Sequence, residues 1–173
     1  MNKSVLHTPS PIWIPAGAEA SFEGVPISNA IQYGHLAACS DRHLAVATGF
    51  NAGGSVALLD LSKPGRYDGD SYYRAQCHSN SVTDLALNKS TLATSSLDKT
   101  VKLWRVQTHK NQISETSVLE YMCDFQHKDR VVNIAWSPNN SHLLATALYG
   151  RKIIVWNVET DKAQSVHVST AGA

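Results

Sequence analysis

Two passages of the chain carry the same rhythm of apolar and polar positions. HSNSVTDLALNKSTLATSSLDKTVKLWRV runs from His78 to Val106, and HKDRVVNIAWSPNNSHLLATALYGRKIIVWNV runs from His127 to Val158. Each opens on a histidine and alternates through a first strand, SVTDLAL or RVVNIAW. A polar turn follows, NKST or SPNNSH, and then a second strand, LATSS or LLATAL. A tight turn, LDKT or YGRK, leads into a third strand, VKLWRV or IIVWNV. Alternation with a period of two predicts strands, and the polar clusters between them predict turns. Strict alternation puts Thr83, Leu85 and Leu87 on one face, with Val132, Ile134 and Trp136 as their counterparts. The third strands are apolar on both sides. Val101 and Leu103 oppose Trp104, and Ile153 and Val155 oppose Ile154 and Trp156. A strand with two apolar faces is expected to be covered on both.

A fainter copy precedes these two, with LAACS, HLAVATG and SVALLDL as its strands and the glycine-rich FNAGG as a hairpin. Leu59 takes the place of the tryptophan. YYRAQC, VLEYMCDF and AQSVHVS are expected to be the outer strands. The organisation expected is an extended segment over 1–27, rich in proline, and three units at about 28–77, 78–126 and 127–170. PIWI within the opening segment is a candidate strand lent to another unit. The repeat is longer than the ~40–45 residues usual for units of a propeller. The excess falls in QTHKNQISETS, which reads as a loop insertion. Sheets stacked in a ring cover each other's apolar faces only if the ring closes, and three do not close it. The chain is therefore expected to need further units or another chain, and to self-associate without them.

Composition narrows the function. The chain has 173 residues, 43% hydrophobic and 17% charged, with a net charge of +1. That suits a globular core and supplies no general attraction for nucleic acid. No apolar run is long enough for a membrane-spanning helix, and the N-terminus has no continuous apolar segment of the secretory kind. The 3 cysteines are far apart, which suits reduced thiols inside the cell. FNAGGSVALLD lacks the Gly-Lys-Ser/Thr of a phosphate loop, so its glycines read as a tight turn. Cys77, His78 and His127 lack metal-ligand spacing. No Gly-x-Ser-x-Gly elbow accompanies the serines. No catalytic, cofactor or metal site is expected. Lys99, Lys102, Arg105, Arg151 and Lys152 fall on turns and third strands, where they are either solvated rim or a docking surface for an acidic partner. His109 and Lys110 stand near them in sequence.

The repeated passages resemble the WD-repeat family. His78 and His127 stand at the family's histidine, with Cys77 and Gln126 in place of its usual preceding glycine. Asp98 stands at the turn aspartate, Trp104 and Trp156 at the tryptophan, and Thr94 or Ser96 at the hydroxyl. The resemblance implies a buried chain from Asp98 to His78, to the hydroxyl, to the Trp104 N–H. In the second passage His127, Thr146 and Trp156 would form its counterpart, with Gly150 where the aspartate would be. The implied fold is all-β, a partial WD-repeat β-propeller of about three four-stranded blades out of seven.

SNAIQYGHLAACSDRHLAVATGFNAGGSVALLDLSKPGRYDG further resembles the opening blade of coronins, through Ala52-Gly53-Gly54 and Gly65-Arg66. The passage from His127 resembles their third blade. Coronins carry a basic opening segment, four further blades and a terminal coiled coil, which this sequence does not show. The resemblance implies a cytoplasmic, cytoskeletal adaptor that binds actin filaments and influences the Arp branching complex and cofilin-driven turnover. The other reading is a general WD-repeat scaffold in a ubiquitin-ligase, trafficking or signalling complex.

Overall fold

A computed structural model of the chain describes residues 21–29, 34–49, 53–68, 72–110, 115–160 and 162–166. Among them every regular element is a strand. These are β1 (Phe22–Glu23), β2 (Ala37–Cys39), β3 (His43–Thr48), β4 (Ser55–Asp60), β5 (Gly65–Arg66), β6 (Tyr73–Gln76) and β7 (Val82–Asn88). They continue with β8 (Thr91–Ser96), β9 (Thr100–Lys110), β10 (Glu115–Gln126), β11 (Val131–Trp136), β12 (Leu143–Leu148), β13 (Ile153–Asn157) and β14 (Lys162–Val166). They form three four-stranded antiparallel sheets, β2-β3-β4-β6, β7-β8-β9-β10 and β11-β12-β13-β14, and one parallel pair, β1-β5.

The sheets stack as blades in chain order. Trp104 and Val106 of β9 pack with Ala45, Val56, Leu58 and Cys77 of the first blade. Val101 and Leu103, on the other face of the same strand, pack with Val131, Ile134 and Leu144 of the third. Trp156 turns back to the second blade, its ring centroid 4.5 Å from that of Phe125. The three blades share one register. Leu59 lies opposite Leu44, Trp104 opposite Leu92 and Trp156 opposite Leu144. A tryptophan or leucine at this position therefore covers the same gap between blades.

Three local features differ from strict alternation and turn reading. Between Val82 and Asp84, and again between Val131 and Asn133, the pairing register shifts by a β-bulge. An extra residue in one strand reverses the facing of the residues beyond it. Val82 and Leu85 thus share the first-blade core, whereas Thr83 donates to the Val131 carbonyl of the third blade at 2.7 Å. QTHKNQISETS is mostly strand rather than loop, because β9 and β10 pair from Gln126↔Thr100 out to Glu115↔Lys110. The opening segment also pairs: Phe22 with Gly65, and Ile27 with Thr48. PIWI lies outside the described residues.

The bulge places Asp84 where three blades meet. Its buried carboxylate accepts from the His35 amide at 2.6 Å on the first-blade side. From the third blade it accepts from Asn133 Nδ2 and the Ile134 amide, both at 2.7 Å. The Leu85 amide adds a bond at 2.9 Å. Gly34 is required beside it, since a Cβ there would lie 2.4 Å from Asp84 Cγ. Trp136 Nε1 adds a bond of 3.0 Å to the Ala86 carbonyl.

The outer faces differ from the inner ones. Leu44, Val46 and Leu59 line an apolar groove of about 410 Å³ on the first blade, together with Phe22, Val25 and Ile27. Ile153 and Val155 alternate with Ile154 and Trp156, which pack on the second blade, and all four are half-buried.

Replacing Asp84 with alanine strands several buried donors, each costing about 1–3 kcal/mol. Asp84→Ala is expected to lower stability by roughly 3 kcal/mol or more, read as a fall in the urea midpoint, while Asp84→Asn costs less.

Candidate functional site

The turn between the second and third strands of each blade brings polar groups to one rim. In the second blade that turn is Leu97–Thr100, and the chain returns beside it at His78. The His78 amide donates to the Gly54 carbonyl at 2.9 Å, and the His127 amide to the Lys99 carbonyl at 2.9 Å. Each histidine is thus anchored to the turn of the preceding blade. Gly54 has no room for a side chain, because a Cβ would meet the His78 carbonyl oxygen at 2.1 Å.

The His78 ring is fully buried. Its Nδ1 lies 3.0 Å from Asp98 Oδ2 and its Nε2 lies 2.7 Å from Thr94 Oγ1. Trp104 Nε1 donates to Thr94 Oγ1 at 3.0 Å. In the neutral ring the directions follow from the partners. Ionised Asp98 only accepts, so Nδ1 carries the proton and Nε2 accepts from the Thr94 hydroxyl, which accepts from the indole. Thr100 Oγ1 donates to Asp98 Oδ1 at 2.7 Å, and the Thr100 and Ser79 amides also donate to this carboxylate. Burial opposes ionisation of Asp98, but the hydrogen bonds from His78 and Thr100 outweigh it and hold the carboxyl well below its usual range. Ser96 stands outside this chain. Its hydroxyl donates to the Asn80 carbonyl and accepts from the Asp98 amide, which braces the turn.

The third blade keeps one half of the arrangement. Trp156 Nε1 donates to Thr146 Oγ1 at 3.2 Å, and Thr146 donates to the Ile154 carbonyl at 3.2 Å. The other half differs. His127 is 9% exposed and neither ring nitrogen has a hydrogen-bond partner. The ring stands edge-on to Trp156, with centroids 5.3 Å apart. Burial, and then the nearby Lys152 charge, push the His127 pKa down to about 4.

The basic residues divide. Lys99 and Arg151 are exposed and occupy equivalent turn positions, both left-handed, with φ of 70° and 60°. Lys152 is half-buried beside Arg151 on the same rim. Lys102 is half-buried on β9, its charge acting on Cys77 and Asp124. Arg105 lies six residues beyond Lys99, about 20 Å along an extended strand, and faces Glu120 at 3.7 Å. His109 is exposed still further along β9. Burial pushes the Cys77 thiol up to about 12, within the core between the first two blades. Among the described residues no three metal-ligating side chains converge.

His127 carries a pH consequence. Its folded-state pKa lies below the ordinary histidine value of 6.5, so the unfolded chain binds the proton first. Stability is expected to fall as pH drops from about 6.5 to about 4 and to rise again with pH. His127→Gln removes that slope in pH-dependent urea unfolding. Asp98 acts at lower pH: its contribution is present above the ordinary carboxylate range and is lost as acid protonates it. Asp98→Asn should flatten that acid limb.

Comparison with known proteins accounts for this geometry. Residues 69–105 and 120–157 match the WD domain, G-beta repeat, and residues 14–66 match a domain of unknown function (DUF1899). Human Coronin-2A is 27% identical over 154 residues, covering 86% of this chain and 28% of that protein. The coronin-like protein of Saccharomyces cerevisiae is 34% identical over 85 residues, covering 49% of this chain and 11% of that one. The chain thus spans well under a third of the length of these relatives. The crystal structure of the WD40 domain of Toxoplasma gondii coronin superposes with a TM-score of 0.74 at 19% identity, covering 86% of this chain and 39% of that one. Repeats, blades and relatives agree: the chain carries WD repeats, has the fold of a partial β-propeller and is similar to coronins over most of its length.

Proposed function

We propose that the chain is an actin-filament-binding adaptor that works through surface contact and turns over no substrate. The observation that carries this reading is the likeness to Coronin-2A over 86% of the chain. The rim supports it: Lys99 and Arg151 project from equivalent turns of adjacent blades, next to Lys152. A repeated cationic position suits a partner with a repeated acidic surface, and such contacts set orientation and encounter rate. Lys102 adds a cation on the same strand as this turn, whereas Arg105 already faces Glu120 and contributes less. The matching place of action is the cytoplasm, at the cytoskeleton. The three blades are His78-to-Gly54 and His127-to-Lys99 linked units. We take 28–77, 78–126 and 127–170 as their spans in the sequence.

A second reading rests on one further relative. THO complex subunit 3 of Arabidopsis thaliana is 29% identical over 97 residues. A similar sequence therefore occurs in a subunit of a named complex, and the general scaffold role uses the same rim with a different partner.

Co-sedimentation of the chain with actin filaments separates the two. The filament reading expects pelleting that weakens with salt. Lys99→Glu with Arg151→Glu should weaken it by roughly tenfold, about 1.4 kcal/mol. A chain that stays in the supernatant at low salt overturns it.

The outer faces generate a further expectation. The Leu44, Val46 and Leu59 groove on one side and Ile153 and Val155 on the other suit closure by further blades or another chain. Sedimentation velocity is expected to show self-association, and a compact monomer at all concentrations contradicts closure of this kind.

A further inference from the structure

The second and third blades share one backbone corner and fit different side chains to it. In the second, the Leu97 amide donates to the Ser81 carbonyl at 3.1 Å. In the third, the Tyr149 amide donates to the Arg130 carbonyl at 3.0 Å. The same bond joins the chain entering the blade to the turn between its second and third strands. It uses backbone atoms alone, so it calls for neither a tyrosine nor an arginine. Leu97 is half-buried, whereas Tyr149 is 62% exposed. The Arg130 guanidinium lies 6.0 Å from the centre of the Tyr149 ring. An aliphatic–hydroxyl pair in one blade is thus an exposed aromatic–cation pair in the next.

The surroundings are cationic. The two loops joined by this bond read HKDR and YGRK, so Lys128, Arg130, Arg151 and Lys152 share them with the acid Asp129. Lys128, Arg130 and Arg151 are exposed. The pair is also held in place. The Arg130 amide donates to Asp129 Oδ1 at 2.7 Å, and the Arg151 amide closes the turn on the Leu148 carbonyl at 3.1 Å. An aromatic ring on a fixed backbone, beside a planar cation, loses little conformational freedom when something lands on it. Tyrosine and arginine are the side chains enriched where binding energy concentrates.

We infer that Tyr149 and Arg130 are the anchor of the rim's docking surface, and that they take a carboxylate with an apolar neighbour on an acidic protein partner. The inference rests on the reading of the chain as a filament-binding adaptor and assigns the contact that holds the complex. Arg130 meets the carboxylate through two parallel N–H donors, a geometry that lysine lacks. The Tyr149 ring covers the apolar neighbour and keeps water from that ion pair. Lys99, Lys128 and Arg151 act at longer range, drawing the acidic surface in and orienting it. The anchor sets how slowly the complex comes apart, and the surrounding cations set how quickly it forms.

The test is co-sedimentation of the full chain with actin filaments over a series of salt concentrations. Tyr149→Leu installs the residue that the second blade carries at this corner, so the urea midpoint should hardly move. It should weaken filament binding by about tenfold or more and leave the salt dependence as it was, because no charge is lost. Arg130→Lys keeps the charge and loses the fork, and should weaken binding by about fivefold, again at unchanged salt dependence. Arg151→Glu should instead flatten the salt dependence. Tyr121→Leu, at the exposed tyrosine of β10, is the matched control and should bind as the wild-type chain does. Tyr149→Leu or Arg130→Lys within about twofold of wild type overturns the anchor and leaves the filament reading standing. An equal loss in Tyr121→Leu overturns it too, because any exposed aromatic ring would then serve. A wild-type chain that stays in the supernatant at low salt overturns the filament reading, and the anchor with it. Where Tyr149→Leu fails to fold, Arg130→Lys decides alone.

Discussion

The Asp84 carboxylate is the interaction on which the arrangement of blades depends. Sheet faces packed through Val56, Leu85, Leu103 and Ile134 supply the bulk of the attraction, but apolar faces slide over one another at little cost. A buried acid that accepts from His35 on one side and from Asn133 and Ile134 on the other has one geometry that satisfies it. It converts three greasy plates into a stack with a fixed offset. The bulge before it is the means, since an extra residue in β7 aims Thr83 at the third blade and leaves Leu85 in the first-blade core.

Within that frame the histidine networks act on single blades. In the second, each polar atom between Trp104 and Asp98 has a partner, so β8, β9 and the incoming chain are locked in register. The third blade retains the tryptophan–threonine bond, which joins β13 to β12 beside their backbone pairing. Its histidine ring packs on Trp156 without a hydrogen bond. The same backbone thus presents one hydrogen-bonded and one unbonded version of the same corner, a few residues from the cations of the rim.

Much of this was legible in the chain. The spacing of His78, Thr94, Asp98 and Trp104 pointed to the network, and the substitution of Gly150 for Asp98 pointed to its interruption. Thr94 rather than Ser96 turned out to be the hydroxyl, because Thr94 lies within reach of both rings, whereas Ser96, at the end of β8, bonds to the Asn80 carbonyl and the Asp98 amide. Asp84 was hidden. A charged residue inside an alternating strand looks solvent-facing, and the bulge that buries it leaves no mark on the pattern of Val82, Thr83 and Leu85. The long β9–β10 pairing was also hidden, since QTHKNQISETS is polar on both faces and carries no apolar stripe. Pairing there rests on backbone bonds and on His43, whose Nε2 lies 2.8 Å from Ser117 Oγ.

That last contact has a mechanical meaning. The outermost strand of the second blade reaches over the first, through Ser117 to His43 and through the Leu119 carbonyl to the Tyr73 hydroxyl at 3.3 Å. The joint between these two sheets is therefore riveted at its perimeter as well as at its hub, where His35 meets Asp84. Prising it open from either edge tears one row of fastenings before the other can pivot. The leading pair of blades behaves as a single stiff plate, and torque applied to the molecule is passed on to the seam beyond it.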